Sequence, residues 1–486
     1  MLNLQKYPIM KRTLYIAFAL MAITACHKGD PQPDPTHTPT ITPFKIIGND
    51  FWPSSSVSKT DPTSGNVWVL MHRATGEREQ VPYIQCFDSN MNSLSKGWVS
   101  LTSEICHSST SHREFTILDN GNALCVYCDK RESKTYELPY YTIVKPDGTL
   151  LNPEGTLVYD TRDESYGALV ETDAVSDGKG GAWVAISQGG LLVIRHISKS
   201  GEMSEPVKLK AQNEKEVYHG HKMMLTQDGG VFLTFLDMTH VPGVMTADYT
   251  GHTTLLKISA DGRLEFEKRL NPEELCNAGG VPLLWPDAKG GAYLTRRGND
   301  KKTGTELVYY SHFDRNGTVD KAFEENYKIC IATKNYVGYA CAVAPGSNTL
   351  CTAHCEFIKS EEQQVIGYTS LLTNVDENGE FIFKDKEFKG FDGTADPSDF
   401  VMAARGNDIV DIFYLSLENG ASTYKASLGC IDTSDMSVNP TVTSITSSLT
   451  KSDLFWLPDI EKAYVNGKMN IVLCSTKSIV ATQVVK

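Results

Sequence analysis

The sequence predicts an all-β fold, a β-propeller of eight blades with four antiparallel strands each, on three observations. A glycine-rich phrase recurs along the chain. Asp177-Gly178-Lys179-Gly180-Gly181-Ala182-Trp183-Val184-Ala185-Ile186 returns as Asp228-Gly229-Gly230-Val231-Phe232-Leu233 and as Asp287-Ala288-Lys289-Gly290-Gly291-Ala292-Tyr293-Leu294. Looser copies begin at Asp119, Gly406 and Asn466. A second marker, an Asp-Gly or Asn-Gly pair or a similar turn, follows at Asp147-Gly148, Ser200-Gly201, Asp261-Gly262, Asn316-Gly317 and Asn378-Gly379. Short apolar runs separate the markers, and no long helical periodicity intervenes.

Each unit therefore reads as strand, glycine-rich turn, strand, variable loop, strand, Asp-Gly turn, strand. Glycine takes positive φ without steric cost, and Asp-Gly or Asn-Gly pairs favour type I′ hairpins. The anchor glycines Gly65, Gly121, Gly180, Gly229, Gly290, Gly346, Gly406 and Gly467 stand roughly 50 to 60 residues apart, a propeller period. Seven blades with an irregular extra segment is the runner-up count. The last unit offers strands at Met469–Cys474 and Ile479–Val485 but no outer strand, and Phe44–Ile47 has no place in the first unit. The N-terminal strand is therefore expected to pair with the last blade, removing an open sheet edge.

Residues 1–25 read as a targeting segment: Lys11 and Arg12 precede an apolar run, Leu14–Ile23, too short to span a bilayer. It ends Ile23-Thr24-Ala25-Cys26, which resembles the lipobox of bacterial envelope lipoproteins. The resemblance implies cleavage before Cys26 and a diacylglycerol on its thiol; an ordinary secretory signal cut near Ala25 is the alternative. Residues 26–43 form a Pro- and Thr-rich tether, leaving 44–486 for the propeller. Leader and architecture together resemble propeller lipoproteins of Gram-negative envelopes. That implies an outer-membrane lipoprotein, periplasmic or surface-exposed, held to the membrane by lipid alone.

The formal charge of −13, with no basic run beyond the leader, argues against nucleic acid as a partner. In a propeller the first and third turns share one face, here standardised. The second loops and the connections between blades share the other face. The second loops, His72 to Pro82, Asp129 to Pro139, Asp237 to His252 and Arg296 to Glu306, read as long and irregular. Binding residues concentrate on loops held by a rigid scaffold, so function is expected on this variable-loop face. The connections supply the candidate ligand-binding residues around a central funnel: His107, His112, Arg113, Glu114, Arg162, Asp163, Glu164, Tyr166, His219, His221, Lys222, Tyr336, Asp399 and Trp456. Such polar and aromatic groups suit a glycan, a peptide or a partner protein.

His219 and His221 flank one glycine, and along a regular strand both would face one way. Without a fixed ligand spacing they are read as surface histidines, and no metal site is expected. Beyond Cys26 there are eleven more cysteines, read mainly as buried small hydrophobes. Cys341 and Cys351 flank a turn symmetrically and are candidates to face each other. Ser176 to Trp183 resembles a degenerate Asp-box, the hairpin motif of sialidases, whose role is structural. There is no Gly-x-Ser-x-Gly elbow, Walker loop, His-Glu-x-x-His or dinucleotide fingerprint, and no cofactor is expected. The reading is a lipid-anchored, non-catalytic binding or scaffold propeller. The alternative is a glycan-active hydrolase or lyase using paired carboxylates in the same funnel.

Overall fold

In the computed structural model the strands pair into eight antiparallel units arranged as a ring, a β-propeller. The structure describes residues 38–486 except 50–52, 77–78, 105, 108–113, 133–135, 166–169, 213, 241–247, 271–273, 278–280, 300–305, 321–322, 324–329, 334–335, 363, 389–399, 417–420, 451–461 and 475–477. The leader and Cys26 lie outside the described residues. The innermost strands follow one another around the axis: Pro53–Thr60, Glu114–Ile117, Val170–Ser176, Glu216–Leu225, Leu283–Pro286, Tyr336–Ala344, Phe400–Ala404 and Tyr464–Val465. They open blades 1 to 8 in that order.

The repeated glycine pairs have two separate physical causes. The first glycine of each pair takes a left-handed φ, as at Gly229 (+89°). The second has no such φ, but its position lies against the carbonyl that ends the third strand of its blade. A Cβ on Gly181, Gly230 or Gly291 would fall well under 3.0 Å from the carbonyl oxygen of Ile197, Ile258 or Phe313. Gly346 departs from the pattern, because there Asn348 (φ +52°) takes the left-handed position.

The third turns differ from expectation. Gly148 N–H donates to Lys145 O at 2.8 Å and Lys145 N–H to Thr149 O at 2.9 Å, and only the glycine has positive φ (+88°). This is a type I turn followed by a left-handed bulge residue, where a type I′ turn would need two positive φ values. The turns ending in Gly201, Gly262, Gly317 and Gly379 repeat it.

Ring closure follows the expected route with shifted bounds. Lys45–Asn49 pairs antiparallel with Ser478–Ala481, and Thr40–Ile41 pairs with Val484–Val485. Thr40 and Ile41, assigned above to the tether, thus belong to the sheet, and Phe44 packs on the core shared by blades 7 and 8.

The cores lie mainly between blades. Trp183, Ile194 and Leu192 of blade 3 meet Val231, Leu233 and Phe235 of blade 4, and Trp183 Nε1–H donates to Gly229 O at 3.1 Å. Each such large side chain contributes about 2–3 kcal/mol by burial. Equivalent clusters join blades 1 with 2, 2 with 3, 6 with 7 and 8 with 1.

Three of the four second loops are ladders where irregular chain was expected. His72 pairs with Pro82, Asp237 with His252 and Arg296 with Tyr309, and pairing continues beyond each. Their polar residues read as loop, yet extended hairpins satisfy the backbone as well as a core strand does. One strand, Glu274–Asn277, pairs with Asp248–Gly251 of blade 4 and, through Leu275, with Asn299 of blade 5. Blades 4 and 5 thereby form one continuous sheet.

Candidate ligand site in the central channel

The inner strands of blades 1 to 4 place a belt of paired charges on the channel wall. Glu114 opens the second inner strand. Its carboxylate meets Lys59 of blade 1 at 3.0 Å and Lys222 of blade 4 at 3.5 Å. Burial raises the Glu114 carboxyl, but the two ammonium groups and the Phe115 N–H outweigh it and hold the group below the usual range. Glu114 is almost fully buried, while Lys59 and Lys222 keep about a third of their side chains in solvent.

In blade 3, Glu171 and Asp173 are two residues apart and so project from one face of their strand. Both accept backbone N–H groups from the neighbouring inner strand: Gly220 N to Glu171 Oε2 at 2.6 Å, and Met223 N to Asp173 Oδ2 at 2.6 Å. Glu171 also pairs with His219 Nδ1. Burial raises Glu171, but His219, His221 and the Gly220 N–H bring it down to about 2. Asp173 goes the other way. Burial and the neighbouring Glu114 raise it despite Lys222.

His219 and His221 do not face the same way. The strand carries a β-bulge between His219 and Lys222, and Gly220 is left-handed (φ +61°). An extra residue in one strand breaks the period of two. His219 therefore points to Glu171, and His221 turns between blades 3 and 4, where Ser187 Oγ and Ala185 O lie 3.2 and 3.3 Å from its ring nitrogens. Burial lowers its pKa.

Towards the turn end of the channel lies a cavity of about 560 Å³. Inner strands of blades 1, 5, 6, 7 and 8 line it together, which places it on the ring axis. Trp285, Pro286, Val343 and Tyr464 supply apolar wall, Lys59 and Lys462 supply charge, and no carboxylate is in its lining among the described residues. Lys462 Nζ donates to Ser58 Oγ at 2.6 Å, and Trp285 Nε1–H to Thr295 Oγ1 at 2.9 Å.

Of the residues expected around the funnel, Glu114, His219 and Lys222 belong to the belt. Arg162, Asp163 and Glu164 do not. Arg162 pairs with Asp160 on the surface, Asp163 is exposed, and Glu164 pairs with Lys208 on the outermost strand of blade 3. Residues 160–165 lie along the rim of the ring, away from the channel. His107 sits on a two-residue strand paired with Glu79–Gln80, and Tyr336 opens the inner strand of blade 6; their side chains are outside the described set. His112, Arg113, Tyr166, Asp399 and Trp456 lie outside the described residues. Sequence reasoning missed Lys59, Glu171, Asp173 and Lys462. A usable signal was present for two of them, since Val170-Glu171-Thr172-Asp173-Ala174 sets two carboxylates on one face of an inner strand.

Burial disfavours the thiolate at several of the described cysteines. Burial raises Cys86 and Cys351 to about 12 and Cys430 to about 11. Cys341 and Cys351 do not face each other. Cys341 is opposite Thr352 and Cys351 opposite Ala342, so the two thiols project from opposite sides of the hairpin into different inter-blade cores. Both are free.

No family model matches the sequence, and no curated protein matches it either. Among solved structures, the chain is similar to the polysaccharide lyase Uly1 at 12% identity and a TM-score of 0.45, over 88% of this chain and 89% of that one. It is similar to the BP39L lectin from Burkholderia pseudomallei at 8% identity and a TM-score of 0.47, over 82% of this chain and 100% of that one. Semaphorin 2a of Drosophila is similar at 8% identity and a TM-score of 0.44, over 91% and 76%. Likenesses this distant do not bear on what the chain binds or does.

Proposed function

We propose that this protein is a lipid-anchored envelope propeller that binds, without turning over, a glycan or peptide carrying an acidic group, and that it does so in the central channel. The observation that carries the reading is the axial cavity, with Lys59 and Lys462 beside Trp285 and Tyr464 and no carboxylate in its lining among the described residues. An acidic group entering there meets two ammonium groups, while Glu114 behind them is already compensated by Lys59 and Lys222. Trp285 and Pro286 offer an apolar surface to the rest of the ligand, the usual division of labour in a pocket. The belt suits a receptor better than a catalyst, because its carboxylates are engaged with amines and backbone N–H groups. The anchor rests on the resemblance of the leader to a lipobox, and Cys26→Ala is expected to release the protein from membranes.

The test is a glycan and peptide array probed with the Cys26→Ala protein. Binding to acidic members, lost in Lys59→Met/Lys462→Met, supports the reading. Binding that survives both changes moves the site to the variable-loop face. A glycan-active enzyme is the second reading. It is favoured by Asp173, a buried carboxyl on an inner strand that burial and the neighbouring Glu114 raise above its ordinary value. Turnover of a bound glycan, abolished by Asp173→Asn, would establish it.

A further inference from the structure

On the turn face, blades 3 and 5 carry the same hairpin lock. In blade 3, Asp177 Oδ1 accepts the N–H groups of Lys179 and Gly181, and its Oδ2 lies 2.8 Å from His196 Nε2. His196 in turn packs on Trp183. In blade 5, Asp287 Oδ1 accepts from Lys289 and Gly291, and its Oδ2 lies 3.0 Å from His312 Nε2, with His312 on Tyr293. The hairpin accounts for this much in both blades.

Blade 5 adds two groups that the lock does not need. Asp320 takes the other ring nitrogen of His312, Nδ1. Glu377, from the third turn of blade 6, brings a carboxylate to the same point. One donor atom from each of Asp287, His312 and Glu377 lies within 4.8 Å of the others. The histidine is 3% exposed, yet it borders a cavity of about 440 Å³ that Asp287, Asp320 and Glu377 also line.

We propose that Asp287, His312 and Glu377 bind a divalent transition-metal ion of the zinc class, and that Asp320 orients the histidine for it. Two ligands of a tetrahedral ion, each about 2.1 Å from it, stand about 3.4 Å apart. The Asp287–His312 pair, 3.0 Å apart, opens by about 0.4 Å to take the ion between its atoms. The three donor atoms already lie within 4.8 Å of one another, so the widest pair closes by at most about 1.4 Å on binding. Glu377 is held meanwhile by Lys289 at 2.5 Å, whose side chain is 61% exposed and able to swing away, and by Asn348 Nδ2 at 2.8 Å on its other oxygen. A ligating histidine characteristically donates its second N–H to a carboxylate, which fixes the tautomer; Asp320 stands in that position. One imidazole with two carboxylates favours zinc over calcium or magnesium, which take oxygen ligands. The ion takes the place of the proton shared by Nε2 and Asp287, so one proton leaves as it enters. Solvent completes the coordination from the cavity side.

Titration calorimetry of the metal-stripped full chain with zinc chloride, and separately with calcium chloride, decides the matter. The expected result is one zinc ion per chain, no calcium heat, and complete loss of zinc binding in His312→Gln. Asp320→Asn should weaken binding about 10- to 100-fold, and Glu377→Gln, which removes a direct ligand, at least as much. His196→Gln, which cuts the matching lock in blade 3, should leave it unchanged. Glu377 is half-buried and makes no direct contact with the Asp287–His312 lock, and Glu377→Gln keeps an acceptor for Asn348 Nδ2, so it carries the test if His312→Gln fails to fold. No zinc heat from the wild type overturns the proposal, as does zinc binding that survives Glu377→Gln undiminished. Calcium binding at the same residues overturns the metal class.

Discussion

Gly230 and Gly262 are both turn glycines of blade 4, and replacing each by alanine separates two kinds of constraint. Gly262 has φ +82° with no atom within 4 Å of the position a Cβ would occupy. Alanine there meets only the left-handed backbone, at a cost of about 1–2 kcal/mol. Gly230 has an ordinary φ, but its Cβ would fall well under 3.0 Å from Ile258 O, with Ser259 and Ala260 backbone close behind. A carbon rests about 3.3 Å or more from a carbonyl oxygen, so the turn and the third strand must part by roughly 1 Å. Overpacking of this kind costs about 1–3 kcal/mol. Parting also strains the Thr226 N–H bond to Gly230 O, now 2.9 Å, which is worth about 1 kcal/mol. Gly230→Ala should therefore lose about 3 kcal/mol and Gly262→Ala about 1 kcal/mol. Denaturant midpoints of the two variants and the wild type, read by tryptophan fluorescence and far-UV circular dichroism, measure the difference. If Gly262→Ala proves as damaging as Gly230→Ala, close backbone approach is not what selects the second glycine of the pair.

Three further outcomes are expected. Because the folded pKa of Glu171 is depressed to about 2, its stabilisation is present above the unfolded value near 4.5 and is lost as the pH falls towards 2. A depression of that size corresponds to on the order of 3 kcal/mol; Glu171→Gln should show this deficit at pH 7 and none near pH 2, measured by denaturant titrations across that range. Asp411 is fully buried and accepts from Arg405 at 2.7 Å and from the Tyr464 hydroxyl. Asp411→Ala should cost about 3–5 kcal/mol by stranding the guanidinium, and Arg405→Met/Asp411→Leu should recover most of it; an undiminished loss in the double variant would refute the ion-pair account. Mass spectrometry without reductant should find Cys341 and Cys351 unbridged, and alkylation at pH 7.5 should be slow until the protein unfolds.

The glycine phrases made the ring legible because turn geometry is local: Gly180, Gly229 and Gly467 each announce a hairpin without reference to anything distant. Closure by the N-terminal strand was legible for the same reason, as a unit short of one strand. The β-bulge at Gly220 was not, since Tyr218-His219-Gly220-His221 reads as plain alternation, and only the neighbouring carboxylate Glu171 explains why the chain breaks step there. Arg162 and Glu164 misled because polarity marks exposure but not radius; a rim residue and a channel residue look alike along the chain. Regularity hid as much as it revealed. Glu377 sits in a turn, and Asp320 just beyond one, that were set aside as standard, and what distinguishes blade 5 is visible only when its copy is laid over that of blade 3.

The pairing of Thr40–Ile41 and Lys45–Asn49 with the last strand joins residues about 440 positions apart, as between Thr42 and Thr482. Contacts at such separation form late, because the intervening chain must first be ordered. During synthesis the closing strand therefore waits, unpaired, while the blades that follow it assemble one on another. Until it docks, the apolar flanks of blades 1 and 8 remain uncovered, a lock-washer in place of a ring, and this interval is when the chain is most exposed to misassociation. The seam, more than any single blade, sets the time at which this protein becomes safe from its neighbours.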